Sequence, residues 1–399
     1  MICKTKYPIA HELRIISGHN ILKIGIYIGV LKAPETTGIG RYVIGLINSL
    51  SCLENDNQYI LYYQVPIFGT PPNMPNFISD KIKMRPVKFP TKWLDERPRL
   101  WWDFVLPYVI EKDNVHIFHG PNHFIPVRGN FKKVVTIHDI AYFYTDVHGA
   151  EMDKVLREWT LKSFRAADKV IGVSQSTIDD CLREGLVPQK AIAVYQGFES
   201  RSKLPILNDA DIAYEISELK LTAPAILFLG SIQPRKNVQA LVKAFAKVAD
   251  KIPHCLVLAG GKGSSQEKVQ DLIDQFKLAS RVIFTGYISD KTRAALYHYS
   301  DMFVYPSLYE GFGLVLLEAM SFGIPVITCN NSSLPEVVRD AGILVETHDI
   351  DALGNGIYKL ATDIDYKNSL IDKGFKQCEI FTWEDCAKNT IHVYENTLN

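Results

Sequence analysis

Long apolar runs are missing from this sequence of 399 residues. Residues 1–20 lack the apolar stretch of a secretory signal, so we expect no such signal. The apolar segment at 21–31 is short and is interrupted by Lys23, which favours a buried strand over a membrane span. The sequence therefore predicts no transmembrane segment.

An excess of charge of one sign is also missing. Lysine and arginine total 44, as do aspartate and glutamate. Proteins that bind nucleic acid usually carry a basic excess, so this balance predicts no nucleic-acid partner. The seven cysteines form neither a C-x-x-C motif nor the spacing of a zinc site. Such a scattered, odd set is typical of a reducing compartment, and we expect a cytoplasmic location.

Apolar strand-like segments alternate with helical segments along the chain, which is the order of an α/β protein with parallel, doubly wound sheets. The first series of predicted strands comprises 23–30, 59–65, 115–120, 133–139, 169–174 and 191–197. The second series comprises 225–230, 255–261, 281–287, 302–307 and 325–329. We therefore expect two Rossmann-like domains.

A polar segment without regular apolar spacing, residues 199–222, separates the two series. We place the domain boundary there, with an acceptor-binding first domain at 1–200 and a donor-binding second domain at 201–380. Residues 381–399 are predicted to form a final helix that packs back against the first domain.

Two glutamates, Glu310 and Glu318, flank a glycine-rich corner in the segment YEGFGLVLLEAMSFGIPVI. Gly311 and Gly313 precede a predicted helix at 314–322, whose unpaired backbone amides and dipole favour a phosphate. Carboxylates instead accept hydrogen bonds from hydroxyl groups, so the corner suits a ligand with both phosphates and sugars. A nucleotide sugar fits that description. The alternative is an ordinary strand-to-helix turn with solvated glutamates.

Further motifs follow predicted strands in both halves of the chain. They are ETTGIGRY at 35–42, the pair His138 and Asp139, GSIQPRKN at 230–237 and TGYISD at 285–290. Ligands of parallel sheets bind beyond the carboxyl ends of the strands, and with two sheets the ligand usually lies between them. These motifs are therefore expected to meet in a cleft between the domains.

The ordered set of motifs resembles the retaining glycosyltransferases of the GT4 family, which have the GT-B fold. The most specific element is the E-x7-E signature formed by Glu310 and Glu318, supported by GSIQPRKN, TGYISD, SSLPEVV and FTWEDCA. The resemblance extends from about Lys23 to the end of the chain.

The resemblance implies a role for each part of the corner. Glu318 is expected to accept hydrogen bonds from the ribose hydroxyls, and Glu310 from hydroxyls of the donor sugar. The backbone amides of Gly311, Phe312 and Gly313 are expected to surround the sugar and the phosphate.

Basic residues are implied to replace a metal ion. Lys236 and Arg235 resemble a pair that neutralises the diphosphate as the bond between sugar and phosphate breaks. His138 is expected to position the donor sugar, although an isolated histidine is more often a core residue; Asp139 is equally compatible with a structural cap. The implied donor-binding set also contains Gly38, Gly40, Arg41, Gly230, Ser231, Gly286, Tyr287 and Leu314. We expect no metal and no cofactor other than the donor substrate.

Three D-x-D matches, at 209–211, 349–351 and 363–365, are compatible with a metal-dependent enzyme of the alternative glycosyltransferase fold. They do not follow predicted strands, and Asp349 is better interpreted as the N-cap of a helix. We therefore reject that alternative.

The motifs are most similar to bacterial mannosyltransferases that build O-antigen and other surface polysaccharides from GDP-mannose. The resemblance therefore implies GDP-mannose as the donor and transfer with retention; a UDP-sugar or another GDP-sugar stays open. A sugar-nucleotide epimerase gives no reason for the E-x7-E signature, and a phosphorylase needs a pyridoxal phosphate and a longer chain. A catalytically silent sugar-nucleotide-binding protein is the alternative that is not an enzyme.

Acceptors of similar enzymes are often glycans or lipid-linked glycans. Residues 81–104 interleave seven basic residues with Phe89, Trp93, Trp101, Trp102 and Phe104. Such a mixture suits peripheral contact with an anionic membrane. The other interpretation is a solvated loop followed by a helix with buried tryptophans.

Overall fold

The computed structural model describes residues 21–32, 38–90, 93, 98–144, 147, 149–198 and 204–398. This part of the chain forms two sheets, one of seven strands and one of six, in which all neighbouring strands are parallel. Helices pack on the sheets, so the predicted α/β, doubly wound class is confirmed.

The first sheet has the strand order β3-β2-β1-β4-β5-β6-β7. Its strands are β1 (Lys23–Tyr27), β2 (Gln58–Val65), β3 (Ile82–Lys88), β4 (Ile117–Gly120), β5 (Lys132–Ile137), β6 (Lys169–Gly172) and β7 (Ala191–Ala193). The register places Ile24 of the inner strand β1 beside Tyr59 on one side and Ile117 on the other. All three side chains are buried, as expected for a sheet covered on both faces.

The second sheet has the strand order β10-β9-β8-β11-β12-β13. Its strands are β8 (Ala225–Leu229), β9 (Cys255–Ala259), β10 (Val282–Gly286), β11 (Ser300–Tyr305), β12 (Val326–Cys329) and β13 (Gly342–Val345). The chain reverses direction across the sheet between β8 and β11, which is the topological position where α/β proteins bind ligands.

Helices connect these strands. In the first domain they are α1 (Gly38–Cys52), α2 (Leu106–Lys112), α3 (Ala150–Ala166) and α4 (Gln175–Arg183). In the second domain and beyond they are α5 (Asp209–Glu218), α6 (Val238–Ala246), α7 (Gln266–Gln275), α8 (Asp290–Tyr299), α9 (Leu314–Ser321), α10 (Leu334–Val338), α11 (Ile350–Thr362), α12 (Ile364–Cys378) and α13 (Trp383–Leu398).

The segment expected to be irregular, 199–222, contains helix α5. Its N-cap is Asn208, whose side chain accepts a hydrogen bond from the backbone N–H of Asp211 at 2.8 Å. The expectation of an irregular linker was therefore wrong for Asp209–Glu218; residues 199–203 lie outside the described part of the chain.

The aromatic side chains of segment 81–104, for which a membrane surface and a helix with buried tryptophans were both open, are divided between core and surface. Phe89, Trp101 and Trp102 are buried in the first domain, whereas Trp93 and Phe104 are exposed. The start of the segment is β3, and residues 91–92 and 94–97 lie outside the described residues. A membrane contact would therefore depend on fewer aromatic side chains than the sequence suggested.

The final helix, α13, packs against α1 of the first domain. Its first residue, Trp383, lies against Gly45 of α1 and Gly197, and a Cβ atom on either glycine would overlap it. Farther along, the hydroxyl of Tyr394 is 2.7 Å from Nδ1 of buried His119 on β4. The last helix therefore completes the core of the first domain.

None of the helices within the described residues combines the length and apolarity needed to cross a bilayer.

Candidate active site

The carboxyl ends of the two sheets face each other, and the domains meet at Gly311 and His138. A Cβ atom at position 311 would overlap the carbonyl oxygen of His138, so only glycine permits this approach. The hydroxyl of Thr177 donates to the carbonyl oxygen of Gly311 at 3.3 Å or that of His138 at 3.4 Å. The glycine-rich corner therefore forms part of the wall between the domains.

The predicted helix after the corner is present as α9. Gly313, with φ of 106°, is its N-cap, in the left-handed region that favours glycine. Ser332 accepts from the backbone N–H of Glu310 at 3.0 Å, and Ser333 donates to the carbonyl oxygens of Glu310 and Phe312 at 2.9 Å each. The SSLPEVV motif therefore holds the corner in place.

Four groups contact one oxygen of Glu310, Oε1, three of them through hydrogen bonds and Arg235 as an ion pair. Its partners are Lys236 Nζ at 2.6 Å, Arg235 Nη1 at 2.9 Å and the hydroxyls of Ser307 at 2.5 Å and Tyr305 at 3.0 Å. None of these contacts uses Oε2. Two cations and one carboxylate thus lie together at the start of α9.

This cluster fixes the charge of the carboxylate. Burial alone would raise the pKa of Glu310, but the charges of Lys236 and Arg235, with hydrogen bonds from Lys236 and Ser307, lower it to about 2. Burial lowers the pKa of Lys236, although the charge of Glu310 opposes that shift. Glu310 is therefore ionised at neutral pH and partly neutralises the two cations.

Glu318 contacts both domains. Its Oε1 accepts from Arg41 Nη1 of the first domain at 2.8 Å, and its Oε2 accepts from the hydroxyl of Tyr297 at 2.9 Å. Arg293 Nη1 lies 3.9 Å from Oε2. This buried carboxylate, which the resemblance assigns to ribose hydroxyls, is thus already paired with Arg41.

A pocket of about 250 Å³ contains many of the predicted site residues. Those that line it are Gly38, His138, Lys236, Glu310, Gly311, Phe312, Gly313 and Leu314. We call it the donor pocket. Its volume is below the roughly 300–1,000 Å³ of typical ligand pockets. It would hold only part of a nucleotide sugar in this conformation.

Other predicted residues lie outside the lining of the donor pocket. Arg235 contacts Glu310 but faces a second, larger cavity. Gly40 and Arg41 belong to the first turn of α1, and Arg41 pairs with Glu318.

Four more predicted residues belong to the second domain. Gly230 and Ser231 follow β8, Gly286 ends β10, and Tyr287 after it is largely exposed. These four residues share the sheet edge with the corner.

His138 is buried at the edge of the donor pocket. Its Nε2 donates to the carbonyl oxygen of Pro121 at 2.8 Å, and the ring of Tyr42 lies edge-on at 4.7 Å. Burial lowers the pKa of His138, which favours the neutral ring. Asp139 Oδ1 accepts from the backbone N–H of Ala141 at 3.0 Å, so it acts as a local cap.

The D-x-D segments have structural partners. Asp349 and Asp363 are the N-caps of α11 and α12, and each accepts a backbone N–H three residues later. The prediction for Asp349 is confirmed. Asp211 of the first D-x-D lies 3.2 Å from Lys291.

Two family profiles match successive parts of the chain. "Glycosyltransferase Family 4" matches residues 37–200, and "Glycosyl transferases group 1" matches residues 210–377. This chain is a GT4-type glycosyltransferase. The E-x7-E signature of the glycosyltransferase lies within the second match, and the first turn of α1, with Gly38 and Arg41, lies within the first.

A full-length relative of the glycosyltransferase is O-antigen chain mannosyltransferase B of Escherichia coli. The two are 28% identical over 387 residues, which cover 92% of this chain and 97% of the relative. Among solved structures, sucrose-phosphate synthase of Thermosynechococcus elongatus superposes with a TM-score of 0.73 at 22% identity, covering 94% of this chain and 99% of that one. Anabaena HepE, solved with UDP and glucose, gives 0.69 at 17% identity, covering 94% and 100%. The GT-B fold is thereby confirmed.

The sequence did not indicate the hydroxyl groups that hold the two glutamates of the glycosyltransferase. Tyr305 has the pattern of the last residue of a buried strand, and Tyr297 lies in a helix without a motif. Ser307 follows β11 at the edge where site residues gather, which is the one signal that points to it.

Proposed function

We propose that the glycosyltransferase moves mannose from GDP-mannose to a glycan or lipid-linked glycan in the synthesis of a cell-surface polysaccharide, with retention of configuration. The observation that carries this proposal is the cluster of Lys236, Arg235 and Glu310 at the start of α9. The cluster supplies cations for a diphosphate and a carboxylate for sugar hydroxyls in one place.

Mannose as the transferred sugar is supported by the full-length relative from Escherichia coli, which is named a mannosyltransferase. The UDP and glucose bound to Anabaena HepE support the alternative, a UDP-sugar donor. Another GDP-sugar also stays open. A catalytically silent binding protein would bind the nucleotide sugar without turnover.

In the proposed reaction, the bond between sugar C1 and the β-phosphate oxygen breaks and a bond from C1 to the acceptor oxygen forms. Charge like that of an oxocarbenium ion develops on the sugar while negative charge grows on the diphosphate. Lys236, Arg235 and the start of α9 stabilise the diphosphate. The acceptor hydroxyl attacks from the face that the phosphate leaves, and its proton passes to the departing phosphate oxygen. The protein contributes mainly position and charge.

Glu318 is proposed to bind the ribose, which requires a rearrangement. Arg41 pairs with Oε1 of Glu318, so a ribose hydroxyl bound to that oxygen would compete with this ion pair. The small volume of the donor pocket leads to the same requirement. Donor binding is therefore proposed to separate this contact between the domains. His138 is proposed to position the sugar opposite Glu310.

The proposed donor and the absence of a metal requirement are tested together by a donor-consumption assay in excess EDTA. We expect GDP-mannose to be consumed faster than UDP-glucose, and calorimetry to show tighter binding of GDP than of UDP. Lys236 and Arg235 supply the positive charge that a metal ion would supply in a metal-dependent enzyme, so the chelator should not stop the reaction. Complete loss of activity that magnesium restores would contradict metal independence. Equal or reversed nucleotide preference would remove GDP-mannose as the donor.

Peripheral contact with the cytoplasmic face of an anionic membrane is proposed for the surface around α2. Phe104 and Tyr108 are 50% and 66% exposed, and the guanidinium of Arg128 lies 4.5 Å from the ring centre of Phe104. An apolar side chain beside a cation is typical of membrane-surface contacts.

Sedimentation with vesicles tests this contact. We expect co-sedimentation with vesicles that contain phosphatidylglycerol but not with purely zwitterionic ones, because Arg128 places a cation beside the exposed ring of Phe104. The double substitution Phe104→Ala, Tyr108→Ala should lower the bound fraction to about half or less, whereas Phe68→Ala, another exposed phenylalanine, should not. Equal binding by all three proteins would contradict the proposal.

A further inference from the structure

The larger cavity that Arg235 lines is separate from the donor pocket. It has a volume of about 910 Å³ and lies between the start of α4 and the loops that follow β8, β11 and β12. The two domains contribute to opposite walls, with Tyr144, Gln175 and Asp179 on one side and Arg235 and Tyr309 on the other. Its size is that of a site for an extended ligand.

A wall one residue thick separates this cavity from the donor pocket. Arg235 lines the cavity, while its Nη1 is 2.9 Å from Glu310 Oε1 and also donates to the carbonyl oxygen of Tyr309 at 2.7 Å. Glu310 and Lys236, in contrast, line the donor pocket. A ligand in the cavity would therefore extend toward the proposed position of the donor sugar.

The charges of the lining do not suit a phosphate. Three carboxylates, those of Asp179, Asp180 and Glu336, face two arginines, Arg183 and Arg235. Glu336 accepts from the backbone N–H groups of residues 175 and 176 at 2.8 and 2.7 Å, so the start of α4 is already capped by a carboxylate. The nucleotide would be repelled here, and a neutral ligand is favoured.

The remaining surface suits a polyhydroxylated ligand. The rings of Tyr144 and Tyr309 lie side by side with centroids 6.1 Å apart, and Tyr144 is 45% exposed. Asp179 accepts a hydrogen bond from the side chain of Gln175 at 2.8 Å. Both side chains are exposed, and their remaining donor and acceptor groups can form hydrogen bonds with sugar hydroxyls. Aromatic faces beside amide and carboxylate groups match the apolar faces and hydroxyl edges of sugar rings.

We propose that this cavity, here named the acceptor cavity, binds successive sugar units of the acceptor glycan. The proposal rests on the proposed function, because it is the acceptor of that reaction that the cavity would hold. Tyr144 and Asp179 would contact sugar units beyond the one that receives the transferred sugar.

The test uses α-linked mannose oligosaccharides of one to four units as acceptors, with GDP-mannose as the donor. The KM of the wild-type protein should fall as the oligosaccharide lengthens. Tyr144→Ala and Asp179→Ala should each raise the KM for the tetrasaccharide about tenfold, with a much smaller effect on the monosaccharide. Calorimetric titration of the tetrasaccharide into protein saturated with GDP should show the same weakening.

Two matched control variants are available. Tyr358, on α11, is 42% exposed, which is close to the exposure of Tyr144. Asp274, on α7, accepts from the side chain of Gln270 at 2.9 Å with the same four-residue spacing as Asp179 and Gln175. Tyr358→Ala and Asp274→Ala should leave the KM for every oligosaccharide unchanged.

Three outcomes would overturn the assignment of the acceptor cavity. They are an unchanged tetrasaccharide KM in both cavity variants, wild-type protein that binds none of the oligosaccharides, and a GDP affinity that falls in Tyr144→Ala, which would assign the cavity to the nucleotide. Consumption of GDP-mannose by the wild type, measured separately, shows whether the proposed function also fails.

Discussion

Replacing Lys236 with methionine is expected to lower the rate constant of sugar transfer by about 100- to 1,000-fold, the usual cost of removing one group that stabilises transition-state charge. Lys236 is only 9% exposed, and its ammonium group lies at the start of α9 against Glu310. In the proposed reaction it faces the phosphate whose charge grows as the sugar leaves. The measurement is single-turnover transfer at saturating donor.

Stability must be separated from catalysis in this experiment. Without Lys236, buried Glu310 retains Arg235 as its charged partner, and losing one member of a buried pair costs up to about 3–5 kcal/mol. The double variant Lys236→Met, Glu310→Gln removes both charges and should recover much of the thermal midpoint while remaining inactive. Lys247→Met, at an exposed lysine paired with Asp351, is the control and should match the wild type. A Lys236→Met protein that kept a near-normal rate would exclude the phosphate role.

Alanine substitutions of the two glutamates in the signature are expected to impair different steps, nucleotide binding in one case and sugar transfer in the other. Glu318→Ala should weaken the binding of free GDP about ten- to hundredfold, because it removes charged hydrogen bonds to the ribose worth about 1.5–3 kcal/mol. Glu310→Ala should not weaken GDP binding, since GDP has no donor sugar and the variant keeps both Lys236 and Arg235, yet it should reduce turnover of the nucleotide sugar severely. Calorimetry with GDP and a transfer assay measure the two quantities.

Circular dichroism should confirm that both variants fold, and Glu346→Ala, at an exposed glutamate bonded to Asn330, is the matched control. If Glu310→Ala lost GDP binding and Glu318→Ala lost only turnover, the assignment of the two glutamates would be reversed. If both variants were neutral, the donor site would lie elsewhere.

The strands that the sequence predicted are those with continuous apolar runs. β3 was missed because Ile82–Lys88 carries Lys83, Arg85, Pro86 and Lys88, the composition of an edge strand. β13 (Gly342–Val345) was also missed. α5 was missed because its polar residues hide a helix whose clearest signal is the cap at Asn208.

The place of the site was predictable, but its pairings were not. Motifs at strand ends fall on one sheet edge by topology, so the corner and Lys236 were expected near each other. The sequence assigned Lys236 and Arg235 to a phosphate, whereas in the structure both contact Glu310, 74 and 75 residues away along the chain. The pairing of Arg41 with Glu318 connects the two domains, and no local pattern encodes such a contact.

The packing of α13 against the first domain affects the order in which the two domains complete their folding during translation. Trp383 and Tyr394 complete the core of the first domain, although they follow the whole second sheet in the chain. Domains usually fold as they emerge, the N-terminal one first. Here the sheet of the second domain is formed by a contiguous stretch, β8 to β13, which leaves the ribosome before α13 does. Of these two domains, the one that emerges earlier is therefore completed later.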